Sequence, residues 1–367
     1  MMIKFKFHPS FLVIALWAVL TLCAWVLPGK DISLAERRPL AQFPKVTAQS
    51  ITGGKFMKDF ESWSLDQFPL RDGFRTVKSL FHTYVLGQKD NNGIYLHEGF
   101  AAQQDYPLNE ASLDHALGRF NKVYESYLEP HGSKVYMAVV PDKGYYLAEE
   151  SGHLALDYEK MFASFEEGMP WAEHISLTDT LTLEDYYRTD THWRQEALPD
   201  TAQKLCEAMG VGYFTAEELT PVALERPFYG VYYGQAALPM QAETMYILEN
   251  DILGGCTVFD HETGKTGSIY DMAAMNNRDQ YDVFLSGAKS LLTIENPNAA
   301  SDKELIVFRD SFGSSIVPLL LRDYKTVTLV DIRYVQQGML GRFLEFHGQD
   351  VLFLYSTLVL NNSSTIK

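Results

Sequence analysis

An aspartate and a histidine two positions apart, Asp190 and His192, are the first residues of this sequence whose spacing favours chemistry. Alternate residues of an extended segment point to the same side, so the Asp190 carboxylate can orient the His192 imidazole and stabilise its protonated form. The other ring nitrogen can then act as a general base. Such pairs also occur as plain structural hydrogen bonds. Tyr187 and Trp193 flank the pair, and we predict that both exclude water from it and contact a substrate.

Ser311 is the candidate nucleophile that this base would activate. The apolar run 305–308 predicts a strand that passes through Arg309 and Asp310 into a turn at Ser311 and then a helix. A serine at such a junction is exposed at the carboxyl edge of a sheet, where its own N–H and the helix N-terminus can stabilise an oxyanion. The structural alternative is that Ser311 only caps the helix. No Gly-x-Ser-x-Gly motif occurs, which excludes the usual nucleophile turn of α/β-hydrolases.

Continuous apolar runs predict strands that are buried on both faces, as in the centre of a parallel sheet. These runs are residues 135–140, 305–308, 327–330 and 351–355. Helices are predicted around them at 113–127, 314–322 and 334–346. The alternation predicts an α/β fold, with a mostly parallel sheet and helices on both faces. Residues 211–300 are less regular and richer in tyrosine and glycine, and we predict that they form an inserted lobe over the sheet.

The N-terminus predicts attachment to a membrane. Lys4 and Lys6 precede the apolar run 11–27, which as a helix is about 25 Å long, close to the thickness of a hydrocarbon core. A cleaved signal peptide and a retained signal anchor both fit this pattern. The retained anchor is favoured, since no clear cleavage site follows, and it would make the protein a single-pass cell-membrane protein with its large domain outside. The predicted parts are therefore a cytoplasmic tail at 1–10, a transmembrane anchor at 11–28, an extended stalk at 29–54 and an α/β domain at 55–367.

Two apolar stripes at helical spacing follow the predicted stalk. Phe56, Phe60 and Trp63 form the first stripe. The second stripe consists of Leu70, Phe74, Val77, Phe81 and Val85. Apolar residues at this spacing occupy one face of a helix, which usually faces a core. We therefore predict that both stripes pack in the core of the domain.

Composition excludes some partners and leaves the cysteines open. The net charge of −16 gives a surface that repels phosphate backbones, so nucleic acid is not expected as a partner. Three cysteines do not make a disulfide framework. Cys206 and Cys256 fit either one bridge in an exported domain or two buried free thiols. No His-Glu-x-x-His motif, no cysteine pair with ligand spacing and no phosphate-binding glycine loop occurs, so neither a metal ion nor a cofactor is predicted.

Together, the two motifs resemble a known family. Asp190-Thr191-His192-Trp193, followed downstream by the segment 309–313, is similar to the DHHW family, which is related to the SGNH-hydrolase-like proteins of alginate O-acetylation. Further segments that fit its pattern are Glu36-Arg37-Arg38-Pro39-Leu40, Asp66-Gln67-Phe68-Pro69-Leu70-Arg71, Val140-Pro141-Asp142-Lys143, Tyr281-Asp282-Val283-Phe284-Leu285 and Val330-Asp331-Ile332-Arg333-Tyr334. The resemblance covers nearly the whole chain beyond the anchor.

The resemblance implies an SGNH-like, three-layer α/β/α fold with Ser311 as nucleophile, His192 as base and Asp190 as orienting acid. It also implies export, action on a surface polysaccharide and a membrane-embedded acyl-transfer partner. Two positions depart from the pattern: Thr191 replaces the first histidine of Asp-His-His-Trp, and Arg309 replaces the glycine before Asp-Ser. Arg309 is then a candidate contact for a negatively charged group or a member of a structural ion pair. Gly287 is a candidate on the oxyanion side.

Two functions follow from these residues. The first is a serine O-acyltransferase, or the acetylesterase that shares its mechanism, acting on a cell-surface polysaccharide. The second is a non-catalytic protein that binds polysaccharide or assists assembly in the cell envelope. In that case aromatic side chains in the cleft would stack on sugar rings. The candidates are Phe228, Tyr229, Tyr232 and Tyr233.

Overall fold

The computed structural model describes residues 9–367, in which an eight-stranded mixed sheet carries the main core. The strands are β1 Ile32–Ser33, β2 Arg38–Pro39, β3 Ile94–His97, β4 Phe100–Gln103, β5 Val135–Val140, β6 Glu173–His174, β7 Thr220–Ala223, β8 Tyr246–Glu249, β9 Thr257–Asp260, β10 Lys265–Gly267, β11 Leu291–Glu295, β12 Lys303–Arg309, β13 Tyr324–Val330 and β14 Asp350–Ser356. The α-helices are α1 Pro9–Val26, α2 Ala48–Thr52, α3 Lys55–Asp66, α4 Arg71–Leu80, α5 Glu110–Val123, α6 Lys143–Ser151, α7 Tyr158–Gly168, α8 Pro199–Ala208, α9 Val231–Ala236, α10 Asp251–Gly255, α11 Gly313–Ile316 and α12 Thr357–Asn361.

Five neighbouring strands of the large sheet are parallel, in the order β13-β12-β14-β5-β6. Three antiparallel strands, β11, β9 and β10, extend it beyond β13. All four predicted apolar runs lie in the parallel part. Parallel strands end at the same edge of a sheet, where α/β proteins usually bind their ligands. The segments that follow β5, β12 and β14 therefore meet at one edge.

Alternate residues of the central strands belong to two separate hydrophobic clusters. Leu305 and Val307 of β12 pack on one face of the sheet with residues of α8 and α11. Ile306 and Phe308 pack on the other face with residues of α5 and α7. Both faces are thus covered, which explains why these strands are continuously apolar. The predicted α/β fold with a mostly parallel sheet is confirmed, and its layers are helix, sheet and helix.

The predicted lobe at 211–300 needs correction. Its second half supplies β9, β10 and β11, which belong to the main sheet, while β7 and β8 form a separate hairpin. Strand β9 is exposed at alternate positions, as a strand near the edge of a sheet is. Such a strand lacks the continuous apolar run that marks a central strand, so the sequence did not reveal it.

The helices predicted after β12 and β13 are shorter than expected. Helix α11 ends at Ile316 and continues as a 3₁₀ helix, Val317–Leu320, because Pro318 has no N–H for an α-helical hydrogen bond. The segment after β13 contains only the 3₁₀ helix Gln337–Arg342. Cys206 and Cys256 are buried free thiols.

Helix α1 is the apolar N-terminal element. It contains no charged residue, and its mean hydropathy of 2.1 over 18 residues makes it long and apolar enough to cross a membrane. A signal sequence would satisfy the same criterion. Of the predicted tail at 1–10, residues 1–8, with Lys4 and Lys6, lie outside the described part of the chain.

The segment predicted as an extended stalk, 29–54, is folded against the domain. It contains β1, β2 and α2. The Glu36 carboxylate lies 2.5 Å from Arg71 and 3.2 Å from Arg75, both on α4. Arg38 binds Asp66 of α3 with two hydrogen bonds of 2.6 and 2.8 Å. The prediction of an extended stalk is therefore wrong, because it took account of the Pro and Gly residues and not of these charge pairs.

The two apolar stripes do not pack in the sheet core. Residues of the first stripe are half-buried in an aromatic cluster, in which Trp63 packs against Trp25 of α1 and against Phe43. The second stripe is exposed to solvent. Helix α4 contacts the domain through its polar face instead: Arg75 donates to the Gly234 carbonyl at 2.7 Å, and Ser79 is buried. The predicted core position of both stripes is wrong.

Candidate active site

Backbone contacts within the loop 186–193 join its two ends to each other. Tyr186 and Trp193 form an antiparallel bridge, and the Tyr187 N–H donates to the His192 carbonyl at 3.0 Å. From the start of helix α6, the buried Lys143 ammonium donates to the Tyr187 carbonyl at 2.8 Å. These bonds fix the ends of the loop, so that Asp190 and His192 are held by backbone contacts.

Glu243 holds the middle of this loop. Its carboxylate accepts hydrogen bonds from the Arg188 N–H at 2.7 Å, from the Thr189 N–H at 2.8 Å and from the Thr189 hydroxyl at 2.5 Å. An ionised carboxylate that accepts several N–H and O–H groups makes strong, charge-assisted bonds. Glu243 lies more than fifty positions away in sequence and carries no motif, so sequence reasoning missed it.

Asp190 is fully buried, and each of its carboxylate oxygens has two partners. Oδ1 accepts from His192 Nδ1 at 2.6 Å and from the His192 N–H at 3.1 Å. Oδ2 accepts from the Val231 N–H at 2.8 Å and lies 3.2 Å from Arg37 Nη1. Burial by itself would raise the pKa of Asp190, but the Arg37 charge and the His192 contact hold that pKa well below its ordinary value. Asp190 is therefore a carboxylate at neutral pH.

Arg37 reaches Asp190 from the segment that follows α1. Its side chain is 8% exposed and also contacts Asp279 at 2.8 Å and the Tyr229 carbonyl at 2.9 Å. Gly234 makes this approach possible, because a Cβ there would lie 1.7 Å from the Ala35 carbonyl oxygen. Sequence reasoning placed Arg37 in a family-like segment without a role.

Ser311 lies in the turn between β12 and α11, at the carboxyl edge of the sheet. The preceding Asp310 shapes this turn: Oδ1 accepts from the Phe312 N–H at 3.0 Å, and Oδ2 accepts from the Ser356 N–H and hydroxyl at 2.8 and 2.7 Å. Ser311 itself is half-buried, and its Oγ lies 2.8 Å from His192 Nε2. Its hydroxyl does not cap α11, so the capping alternative is not what the geometry shows.

The three predicted residues thus form one hydrogen-bonded chain, Asp190–His192–Ser311. Because Nδ1 faces an ionised carboxylate, we assign the ring proton to that nitrogen, which leaves Nε2 to accept the Ser311 hydroxyl proton. This is the arrangement of a general base beside an activated nucleophile. Across the described part of the chain, no acceptor is in hydrogen-bond range of the Ser311 N–H, so that group is available to a ligand.

Tyr281 fixes the plane of the imidazole. Its ring stacks on His192 with a centroid distance of 3.8 Å and an interplanar angle of 8°. The Tyr281 hydroxyl donates to Ser315 Oγ at 2.7 Å, which also accepts from Trp193 Nε1 at 2.8 Å. The stack and this buried network together leave the His192 ring little freedom to rotate. Tyr281 appeared in the sequence only as part of a family-like segment.

Two predicted substrate contacts, Tyr187 and Trp193, are fully buried. Tyr187 packs on Phe228, with ring centroids 4.7 Å apart. Trp193 Nε1 donates to Ser315 Oγ, which also binds Tyr281. A side chain without exposed surface cannot touch a substrate. The prediction of substrate contact is wrong for both, and they support the loop instead.

The roles predicted for Arg309 and Gly287 also need correction. Arg309 is fully buried and donates to the carbonyls of Asp310 and Gly287, each at 3.3 Å; within 9–367 it has no carboxylate within ion-pair distance. It therefore contacts no charged substrate group and forms no ion pair. The Gly287 N–H donates to the Phe284 carbonyl at 3.0 Å, so it is not free to bind an oxyanion. Gly287 has a φ of +80°, and a Cβ there would lie 2.1 Å from Asp282 Oδ1.

The aromatic residues proposed for sugar stacking divide into two pairs. Phe228 and Tyr232 are buried, and the Tyr232 hydroxyl donates to Thr191 Oγ1 at 3.0 Å. Tyr229 and Tyr233 keep exposed surface, and their ring centroids lie 4.6 Å apart. Only the second pair is able to contact a sugar.

Fold and site together define an α/β protein with an Asp–His–Ser arrangement at the carboxyl edge of its sheet. Residues 180–330, which include all three members, match the family model described as DHHW protein, so the predicted resemblance to the DHHW family is confirmed. A search of curated proteins gives no match.

Solved structures share the fold at low sequence identity. A DHHW family protein from Eubacterium siraeum is 20% identical, with a TM-score of 0.60 over 76% of this chain and 95% of that one. PatB1 of Bacillus cereus is 19% identical, with a TM-score of 0.58 over 73% and 96%. A second PatB1 structure, with a sulfonyl adduct, is 18% identical, with a TM-score of 0.57 over 73% and 97%. At these identities the likeness establishes the fold.

Proposed function

We propose that this protein is a membrane-anchored, extracytoplasmic serine O-acyltransferase that acts on a cell-surface polysaccharide, and that it becomes an acetylesterase when water replaces the sugar. The observation that carries the proposal is the contact of 2.8 Å between His192 Nε2 and Ser311 Oγ, with Asp190 Oδ1 2.6 Å from the opposite ring nitrogen. A binding protein has no need of this chain of contacts.

In the first half-reaction Ser311 Oγ attacks the carbonyl carbon of an acyl donor while its proton passes to His192 Nε2. The tetrahedral intermediate collapses, the bond to the leaving alcohol breaks, and His192 returns the proton to that alcohol. An acyl-serine remains. In the second half-reaction a sugar hydroxyl loses its proton to His192 and attacks the acyl-serine. The bond between the acyl carbon and Ser311 Oγ then breaks, His192 returns the proton to Ser311 Oγ, and the sugar leaves with the acyl group. Asp190 stabilises the imidazolium in both steps.

The Ser311 N–H is the candidate donor to the oxyanion. It has no acceptor in the described part of the chain and belongs to the nucleophile itself, as one oxyanion donor does in many serine enzymes. The short helix α11 begins two residues later. This proposal replaces the earlier candidate, Gly287, whose N–H is occupied.

The shared fold supports acyl chemistry. PatB1 has this fold and has been obtained with a sulfonyl adduct, and sulfonyl electrophiles form adducts with nucleophilic side chains. Helix α1 supports the anchor, and an anchored domain outside the membrane meets surface polymers as acceptors. We also propose that a membrane-bound acyl-transfer protein supplies the donor.

Hydrolysis of p-nitrophenyl acetate by the full-length protein in detergent tests the acyl site. We expect Ser311→Ala and His192→Ala to abolish the activity with folding intact by circular dichroism. Ser314→Ala is the matched control: Ser314 lies three positions further on, in α11, and in residues 9–367 its buried hydroxyl has no hydrogen-bond partner. Equal rates in the wild type and both site variants would overturn the proposal and favour the polysaccharide-binding alternative.

Transfer is separated from hydrolysis by adding acceptors. With p-nitrophenyl acetate as donor, mass spectrometry of cellohexaose, chitohexaose and mannuronate oligomers will show an added acetyl group on at least one of them. If only acetate forms with every acceptor, the protein is an esterase for these substrates and the transferase proposal fails.

A further inference from the structure

We propose that helix α4 and the connection from α3 lie in the outer leaflet of the membrane beside α1, as a second, monotopic contact with the lipid. The contact surface, called here the α4 stripe, begins with Leu70, Phe74 and Val77. It continues with Phe81, Tyr84 and Val85 in the π-helical segment Phe81–Val85, which directly follows α4. This proposal rests on the proposed anchor and does not depend on the acyl chemistry.

The α4 stripe reverses the usual arrangement of a surface helix. Its members follow helical spacing, and their side chains are 46–78% exposed. The opposite, polar face is the one packed on the protein: Arg75 contacts Glu36 and the Gly234 carbonyl, and Ser79 accepts a hydrogen bond of 2.7 Å from Asn91. A contiguous exposed apolar surface of this kind marks a contact with lipid or with another protein.

Contacts with α1 favour lipid as the occupant. The Phe68 ring, in the α3–α4 connection, lies 6.4 Å from the Trp17 ring, centroid to centroid. Trp17 precedes Val26, the last residue of α1, by nine positions, or about 13 Å along the helix axis. One leaflet contributes about 15 Å to a hydrocarbon core. A connection that touches Trp17 must therefore enter the leaflet that α1 enters.

Three charged side chains near this connection face the protein, whereas a fourth, Asp72, is 62% exposed and lies 3.4 Å from Arg71. Asp66, Glu36 and Arg71 have side chains only 10–16% exposed and are paired with one another or with Arg38. Paired charges that face protein are tolerated at membrane depth, whereas unpaired ones are not. Lys78 is exposed beside the stripe, where a long cationic side chain can extend to the headgroups.

The test uses the full-length protein in phosphatidylcholine vesicles, in a Cys23→Ser background in which the remaining cysteines are buried. A fluorophore is attached at Val77→Cys in the stripe, at Val19→Cys in α1 or at Thr266→Cys on the exposed strand β10. Quenching by nitroxide-labelled lipid reports contact with the bilayer, and quenching by iodide reports contact with water. We expect position 77 to be quenched by the lipid nitroxide and protected from iodide, as position 19 is, and position 266 to show the opposite.

Each other outcome overturns the proposal in a distinguishable way. Quenching of position 77 by iodide, with position 19 in lipid, leaves the anchor and removes the second contact; the stripe then serves a partner protein absent from the vesicles. Protection of position 77 from both quenchers assigns the stripe to a second copy of the chain. Exposure of positions 19 and 77 to iodide removes the anchor as well. Esterase activity of the same vesicles reports the acyl site separately.

Discussion

Arg37 Nη1 lies 3.2 Å from Asp190 Oδ2, and this ion pair links the segment after the N-terminal helix to the carboxylate that orients His192. Asp190 would otherwise carry a buried charge balanced by hydrogen bonds alone. Arg37 is bound on its other side by Asp279 and by the Tyr229 carbonyl, so its guanidinium has little freedom. We assign it a positioning role, since it acts on the reacting atoms only through Asp190.

Replacing Arg37 by Gln is expected to lower kcat for p-nitrophenyl acetate by roughly 10-fold to 100-fold, because leaving a buried polar group without its partner costs about 1–3 kcal/mol. KM should change little, since Arg37 does not touch the substrate. Arg37→Lys keeps the charge and should recover part of kcat. If Arg37→Gln melts at a lower temperature with kcat unchanged, the residue is merely structural.

The same pair predicts how stability depends on pH. The folded pKa of Asp190 is held well below its unfolded value, so its contribution is fully present above about pH 4 and is lost as pH falls further. The wild type should therefore melt above Arg37→Gln at pH 7, and the difference should narrow between pH 4 and pH 3. Thermal melts of both proteins at several pH values measure this. A difference that does not change with pH would contradict the assigned pairing.

Tyr281 should matter through its ring more than through its hydroxyl. Tyr281→Phe keeps the stack on His192 and loses one hydrogen bond, so we expect less than about a 5-fold loss of kcat. Tyr281→Leu removes the stack and frees the imidazole to rotate, and about a 10-fold or larger loss is expected, because misplaced catalytic groups are costly. Equal activities of the two variants would show that the ring does not position His192.

The absence of a side chain at Gly230 allows the Asp190 backbone to pack closely against it. A Cβ at Gly230 would lie 2.3 Å from Asp190 Cα, a contact that neither backbone can relieve. Gly230→Ala is therefore expected to reduce activity below one tenth of wild type and to lower the melting temperature. Gly118→Ala is the matched control, since a Cβ there meets nothing within 4 Å in helix α5, and it should stabilise by about 0.5–1 kcal/mol. Wild-type activity in Gly230→Ala would refute the close approach.

Lys143 should give stability a pH dependence near neutrality. Burial lowers its pKa to about 7, whereas the unfolded chain keeps the proton to about pH 10.4. Between these values the unfolded state binds more protons, so stability rises with pH, by up to about 1.4 kcal/mol per unit. Denaturant unfolding at pH 7 and pH 9 should show this gain for the wild type relative to Lys143→Met. The exposed Lys89→Met should keep the wild-type gain, and a gain retained by Lys143→Met would contradict the assignment.

The central strands and the residues of the Asp–His–Ser site were predictable because short stretches of the sequence are enough to recognise them. Strands β5, β12, β13 and β14 are continuously apolar, and few other structures produce such short runs. Asp190 and His192 lie two positions apart, and Ser311 follows a strand, so their geometry is largely set by neighbours in sequence. The sequence therefore identified all three residues and placed Ser311 at the carboxyl edge of the sheet.

The supporting residues were not predictable in this way. Arg37, Glu243 and Tyr281 each reach the 189–192 loop or its histidine from distant parts of the chain, and their residue types are common everywhere. The predicted core position of the second apolar stripe was wrong for a different reason. Periodicity shows that a helix has an apolar face, but it does not show whether protein or another medium covers that face.

The folded connection between α1 and Arg37 also sets how far the site can reach. Eleven positions separate Val26 from Arg37, and even a fully extended chain of that length, with the arginine side chain added, spans no more than about 45 Å. Because Arg37 is bound to Asp190, this short connection also limits the distance between Ser311 and the end of α1. Under the proposed function, with α1 in the bilayer, only polymer within this distance of the membrane would reach Ser311. Polymer farther out would stay unmodified, so acylation would take place while the polymer emerges.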